Sequence, residues 1–321
     1  MSSPRRRILA AGMAGLAIPA VSRAQGNRSI RIVVPFAADG TTDIVARLVA
    51  QHMAETLGQP VVVDNRPGGN GIIAAEMVAR APKDGLTLLA GGTATLSLNS
   101  LLRPNLPYRL EDFVSVALLC DAPLSLTVNA AVPAQDVSSF VAFSRSRPNP
   151  LRYATNGPGS TSHLFGLMLA DALGLTLQDV VYRGNGPSTA DLLTGVIEVG
   201  VEAPIVTLEH VRAGKLRILG LSFDERSALL PAIPSFREAG YPRLTTSFWT
   251  GLSAPTGTPP EAVQRLNAAA SRAMASEVVR RRMAADASRG FVAPPDRLDQ
   301  QLAQDRVQWG EVIRRQNIIL D

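Results

Sequence analysis

Apolar positions along this chain fall into two kinds of run, and their alternation reads as a series of elements. Ile30–Val34 (Ile-Arg-Ile-Val-Val) is a short, mostly apolar run closed by Pro35, the pattern of a strand. A 3.6-residue period follows, with Ile44, Val45, Leu48, Val49 and Met53 on one side. It predicts a helix capped by Thr41 or Thr42 and stopped at Gly58. Residues 61–63 read as a second strand and 65–71 as a turn-rich loop, in which Asn70 is placed to cap a helix over 72–80. Residues 86–90 form the next strand, opening onto Gly91-Gly92-Thr93. Further strands are expected at 125–128, 152–155, 180–182, 196–201 and 216–221, with helices starting at Asp136, after NGPG (156–159) and within GNGPSTADLLTG (184–195). After Trp249 the pattern turns mainly helical, over 261–275, 277–285 and 297–315. The alternation predicts an α/β architecture with largely parallel sheets, and the length favours two domains.

Several strands are thus followed by a loop of small residues that feeds a helix. In open α/β sheets such loops are where ligands sit, because the first N–H groups of the helix and its dipole face outward and favour anions. Thr93, Thr155, Asn156, Ser160 and Ser188 stand at these junctions. A helix cap explains each of them singly. Their recurrence in successive loops of both halves of the chain argues for one shared site in a cleft between two lobes.

Other chemistries fit poorly. GPGSTS (157–162) and GNGPST (184–189) lack the Gly-Lys-Ser/Thr ending of a phosphate-binding loop, and neither forms G-x-G-x-x-G with an acid beyond the next strand, so no nucleotide cofactor is expected. His52, His163 and His210 are far apart and have no cysteine partners at zinc spacing, which argues against a metal site. Ser160 lies in P-G-S-T-S, not in a nucleophile elbow. Ser160 with His163 three residues on is retained only as a weaker alternative, a periplasmic hydrolase. No pair of carboxylates stands out for acid–base work, so the leading reading is a binding protein and not an enzyme.

The N-terminus changes how charge and compartment are read. Arg5, Arg6 and Arg7 precede an apolar stretch from Ile8 to Val21, and small residues at Ser22 and Ala24 flank Arg23. This is the pattern of an export signal over residues 1–24, cleaved after Ala24. The apolar stretch is shorter than the roughly 20 residues that span a bilayer. The arginines followed by Ile8-Leu9 loosely resemble a twin-arginine signal, and an ordinary secretory signal fits as well. The whole chain has 32 Lys and Arg against 27 Asp and Glu, but the leader takes four arginines and no acid with it, leaving near neutrality. Nucleic acid is therefore not an expected partner. Cys120 is the only cysteine, so an exported, soluble and monomeric product would be held by its core and not by disulfides.

The blocks IRIVVPFAADGTTDIVARL, GQPVVVDNRPGGNG, YATNGPGSTSHLFG, VVYRGNGPSTADLLTGVIEVGVEAP and FWTGLSAPTGTP, in this order, resemble the tripartite tricarboxylate transporter solute-binding proteins, also called the Bug family of extracytoplasmic receptors. The resemblance covers essentially the whole chain after the leader. It implies a type-2 periplasmic-binding-protein fold: two α/β lobes with an interlobe ligand cleft, residues 25–124 plus 247–321 forming the first lobe and 125–246 the second. It implies capture of a small carboxylated, amino-acid-like or amide metabolite, and delivery to membrane permease subunits or, alternatively, presentation to a sensor protein. Carried over by motif, the ligand-binding residues would be Phe36, Ala37, Ala38, Asp39, Gly40, Thr42, Asp43, Thr93, Ala94, Thr95, Thr155, Asn156, Gly157, Gly159, Ser160, His163, Gly184, Asn185, Gly186, Pro187, Glu202 and Ala203. Two positions depart from the family pattern. Asp39-Gly40 stands where a pair of small residues is usual, and Glu202-Ala203 where Asp-Asn is common.

Overall fold

The computed structural model describes residues 28–38 and 40–320; the expected leader with its cleavage point, and Asp39, lie outside the described residues. The strands are β1 (Ile30–Val34), β2 (Val61–Asn65), β3 (Thr87–Gly92), β4 (Phe113–Ala122), β5 (Ser125–Asn129), β6 (Leu151–Thr155), β7 (Leu177–Val181), β8 (Val199–Gly200), β9 (Leu216–Leu221), β10 (Phe248–Pro255) and β11 (Arg289–Gly290). The helices are α1 (Thr41–Leu57), α2 (Ile72–Ala79), α3 (Asn99–Leu102), α4 (Val137–Ser146), α5 (Thr161–Leu173), α6 (Asn185–Thr194), α7 (Pro204–Arg212), α8 (Pro260–Ala275), α9 (Glu277–Ala285) and α10 (Asp296–Gln316). One sheet has the order β11-β4-β10-β3-β1-β2, the other β7-β6-β8-β5-β9. The chain thus builds four strands of the first sheet, all five of the second, and then returns.

Both faces of the first sheet are covered, which is why its strands are apolar at nearly every position. Ile30, Ile32 and Val34 point into a core shared with α1, α8 and α9, while Val33 joins Ala74, Ala75 and Val78 of α2 on the other face. Leu88 and Ala90 against Leu89 repeat the two-residue period. The second sheet packs against α4 and α5 through Phe140, Tyr153, Phe165 and Leu169, and the same core takes in Leu98, Leu102, Trp309 and Ile313. The last helix α10 therefore belongs to both cores. Its first half meets the first sheet through Leu298, and its last turns meet the second.

Several expectations are corrected. The sheets are mixed and not largely parallel. Pairs β1–β2, β1–β3, β6–β7 and β6–β8 are parallel, but β4, β5 and β10 pair antiparallel with all their neighbours. These are the strands that flank the passages between sheets, so they run against the order of the βα units. β4, β10 and α7 lie outside the elements expected from the sequence, although residues 113–119 and 248–250 are β-prone. The strand expected over 196–201 shrinks to Val199–Gly200, because Ile197 and Glu198 donate instead to the Asp191 and Arg152 carbonyls. Thr41 and Thr42 lie within the first turn of α1; its N-cap is Gly40, with no side-chain cap. Asn70 does not cap α2, which starts from Gly71. Its backbone is left-handed (φ 53°), and its side chain bonds Asn99 and the Gly159 carbonyl.

The passages between sheets are tied to each other. Ser222, fully buried, accepts from the Leu124 amide at 2.8 Å and donates to the Thr246 carbonyl at 2.6 Å. The Thr246 amide returns to the Ser222 carbonyl at 2.7 Å. Asp305 of α10 adds a second tie. It accepts from Ser97 (2.6 Å), Trp249 Nε1 (2.7 Å) and Gln301 (3.1 Å), joining α10 to β10 and to the π-helical turn Thr93–Leu98. Burial raises its carboxyl above the ordinary value, and the three donors oppose that shift.

Candidate ligand-binding cleft

A cleft of about 500 Å³ opens between the two sheets. From the first sheet it is lined by the loop after β1 (Phe36, Ala37, Ala38, Gly40), by Thr41 and Thr42 opening α1, and by Gly92, Thr93 and Ala94 where β3 ends. Phe248 and Trp249 at the start of β10 complete that side. The second lobe contributes Asn156 after β6, Thr161 at the start of α5, and Gly184 with Asn185 at the start of α6.

Two helix N-termini face this cleft from opposite lobes. The N-cap of α1 is Gly40 and that of α6 is Gly184, and among the described residues no side chain caps either helix. An α-helix leaves its first N–H groups without partners inside the helix, so both termini offer donors and a positive dipole end. By contrast α5, also near the cleft, is capped by Ser160, whose hydroxyl accepts from the His163 amide at 3.2 Å.

The loop that presents α1 is braced from beneath. Asp43 is buried and accepts from Arg47 Nε and Asn65 Nδ2, each at 2.8 Å. Asn65 also donates to the Phe36 carbonyl at 3.1 Å, holding the chain where it leaves β1. Across the cleft, Thr155 Oγ1 accepts from the Gly157 amide at 3.1 Å and so turns the chain after β6. The close pairing of β3 with β10 depends on Gly92, where a Cβ would lie 2.3 Å from the Trp249 carbonyl oxygen. Thr93 is buried, and its hydroxyl accepts from the Trp249 amide at 3.0 Å.

Of the residues named from the sequence, Phe36, Ala37, Ala38, Gly40, Thr42, Thr93, Ala94, Asn156, Gly184 and Asn185 meet in the cleft. The others fall elsewhere. Asp43 holds the brace, and Thr95 is buried beside Gly71, its hydroxyl without a partner. Thr155, Gly157 and Ser160 shape the loop and its cap. Gly159 lies against Asn70 and Leu320. Gly186 and Pro187 continue the first turn of α6 outside the lining, and Ser188 donates to the Asn185 carbonyl. Glu202 and Ala203 do not line the cleft. The Glu202 carbonyl accepts from both the amide and the hydroxyl of Ser125, and Ala203 is the N-cap of α7. Asp39 lies outside the described residues.

Thr41, Gly92, Thr161, Phe248 and Trp249 line the cleft without having been named from the sequence. For the last two a signal existed, since Phe-Trp-Thr is strongly β-prone and forms the start of β10. The hydrolase alternative lacks its first requirement. Ser160 is engaged with the His163 backbone, while His163 Nδ1 accepts from the Gly159 amide at 3.3 Å, so the ring does not serve the hydroxyl as a base. Burial lowers the His163 pKa and favours the neutral ring. Among the described residues no group of three His, Cys, Asp or Glu could hold a metal ion.

Comparisons with known proteins bear on the family and the fold. A family model described as the tripartite tricarboxylate transporter family receptor matches residues 45–318. Protein BugT of Bordetella pertussis is 35% identical, the match covering 94% of this chain and 93% of that protein. The structure of MatC from Rhodopseudomonas palustris with bound malate is similar at a TM-score of 0.78 and 36% identity, covering 89% of this chain and 99% of that one. A second R. palustris structure, with adipate, reaches a TM-score of 0.83 at 30% identity, covering 91% and 98%.

Proposed function

Since the chain belongs to the tripartite tricarboxylate transporter receptor family, whose members are solute-binding receptors, we propose that its cleft captures a small dicarboxylate. The observation that carries this reading is the pair of uncapped helix N-termini, α1 and α6, facing one cleft from opposite lobes. One carboxylate accepts from the first turn of α1 and the second from that of α6, each end contributing roughly 0.3–1 kcal/mol through the dipole besides its hydrogen bonds. Thr42 and Asn156 add side-chain donors, and Phe248 packs on the aliphatic spacer. A ligand that bridges both lobes stabilises the closed arrangement, because only there do both ends find partners. A monocarboxylate satisfies one terminus and leaves the lobes uncoupled. The bound malate and adipate of the two R. palustris proteins are ligands of this class.

In this reading the protein is exported to the periplasm, works as a monomer and hands its ligand to a tripartite tricarboxylate-type permease. The lobes are residues 25–124 with 247–321, and 125–246. The test is a thermal-shift and calorimetric series on the chain from Gln25, using four- to six-carbon dicarboxylates, their monoamides, monocarboxylates and an amino-acid panel. Dicarboxylates should stabilise most, by about 2.7 kcal/mol at a concentration a hundredfold above Kd. Equal responses to mono- and dicarboxylates, or a response only to neutral amides, would overturn the two-terminus assignment.

A further inference from the structure

A second polar cavity, of about 440 Å³, lies at the passages between the sheets and shares no lining residue with the ligand cleft. Its walls come from residues 222–224, from 245–247 and from one side of α10, with Arg237, Arg289 and Arg297 around it. Arg289 is fully committed. It bonds Asp121 through two nitrogens (2.7 and 3.0 Å), reaches Asp224 at 3.2 Å, and lies 3.9 Å over the Phe223 ring. Both carboxylates of the cavity are thereby paired to this one arginine.

Three arginines against two carboxylates leave the cavity positive, and the other two guanidiniums have no acidic partner among the described residues. Arg297 rests over the Phe291 ring at 5.3 Å, with its Nη1 buried and without a hydrogen bond. Arg237 is exposed at the rim and forms no ion pair. Thr246 is only 7% exposed, and its hydroxyl, like that of Thr245, is buried and unpartnered. Buried donors without acceptors are rare in folded proteins and call for an explanation. Here three of them, two threonine hydroxyls and Arg297 Nη1, border one cavity together with the Arg237 guanidinium. Guanidinium groups donate only, so the missing partner is an acceptor, and the net positive charge selects an anion.

We propose that this cavity is a second binding site, for a small oxyanion held by Arg237, Arg297, Thr245 and Thr246. Guanidinium forks suit the paired oxygens of a tetrahedral oxyanion or of a carboxylate, and the two hydroxyls supply the remaining donors.

The test is calorimetry on the anion-free, full-length mature protein with phosphate, sulfate and acetate as separate probes. The variants are Arg297→Gln, Arg237→Gln and, for the cleft, Asn156→Ala. Saturable binding should occur in the parent protein and in Asn156→Ala, and should weaken about tenfold or more in Arg297→Gln and Arg237→Gln. Phosphate and sulfate binding without acetate assigns the tetrahedral class, and acetate binding that weakens in Arg297→Gln and Arg237→Gln assigns a carboxylate. A crystal soaked in selenate should show the anomalous peak between Arg297 and Thr246. The proposal fails if none of the three probes binds, if Asn156→Ala abolishes binding, or if Arg237→Gln leaves it unchanged. Arg237 is exposed, so that variant remains decisive should Arg297→Gln fold poorly. The outcome does not depend on which solute occupies the cleft.

Discussion

Glu202 holds a carboxyl in a setting that no basic group relieves: among the described residues it has no ion pair, and burial alone pushes its pKa from the ordinary 4.5 up to about 7. Between those two values the folded chain keeps a proton that the unfolded chain gives up. Stability therefore falls as pH rises through this window and is lowest above about 7, each tenfold difference in proton affinity between the two states being worth roughly 1.4 kcal/mol. Glu202→Gln keeps the shape and removes the titration. Urea unfolding should show the variant more stable by about 1–3 kcal/mol at pH 8 and equal to the parent near pH 4. A parent curve that is flat between pH 5 and 8 would contradict the assignment. Asp39 makes a different prediction. In sequence it stands between Ala38 and Gly40, both of which line the cleft. Like charges ~4 Å apart at an effective dielectric of ~20 repel by about 4 kcal/mol, and a third of that is already a tenfold change in affinity. Asp39→Gly should therefore tighten dicarboxylate binding about tenfold in calorimetry. Unchanged affinity would mean the carboxylate does not act on the ligand. At this scale the sequence was informative wherever a small residue had to end a strand and start a helix, as at Gly40, Thr93 and Gly184. It was silent on direction. Thr93 and Thr95 are two apart on one turn, yet only Thr93 reaches the cleft, because Thr95 is wedged beside Gly71.

Among the elements, most helices, though not α7, were legible because long amphipathic periods and glycine stops such as Gly58 and Gly195 are local signals. β4 and β10 were not. Their core faces are supplied by helices remote in sequence, and β10 carries Gly251 where a side chain would press on Leu298 and the Ala117 carbonyl. β10 nonetheless carries part of the cleft wall, through Phe248 and Trp249. The attachment of β10 to α10 depends on Asp305, which is buried and accepts from three donors. Asp305→Ala strands Ser97, Trp249 Nε1 and Gln301 without an acceptor, and each such loss costs about 1–3 kcal/mol before relaxation. Chemical unfolding should show a loss of about 2–4 kcal/mol, with Asp305→Asn recovering part of it. A loss below ~1 kcal/mol would show that water replaces the carboxylate.

On the scale of the whole molecule, the two-lobe plan followed from the order of sequence blocks, whereas the way the lobes are joined did not. Joining is done by residues with no periodic signature. Ser222 bridges Leu124 and Thr246, and Asn70 reaches the Gly159 carbonyl. Phe248 pairs directly with Ala122, so the second lobe leaves and rejoins the first sheet at neighbouring points. That pairing has a bearing on the order of assembly. β10 lies at the centre of the first sheet, between β3 and β4, yet it is synthesised after the whole of the second lobe. As the chain emerges, the second lobe has all five of its strands while the first still lacks the one that closes its middle. The later-encoded lobe is therefore the first able to complete its sheet, and the earlier-encoded one waits, its central seam open, for the final third of the chain.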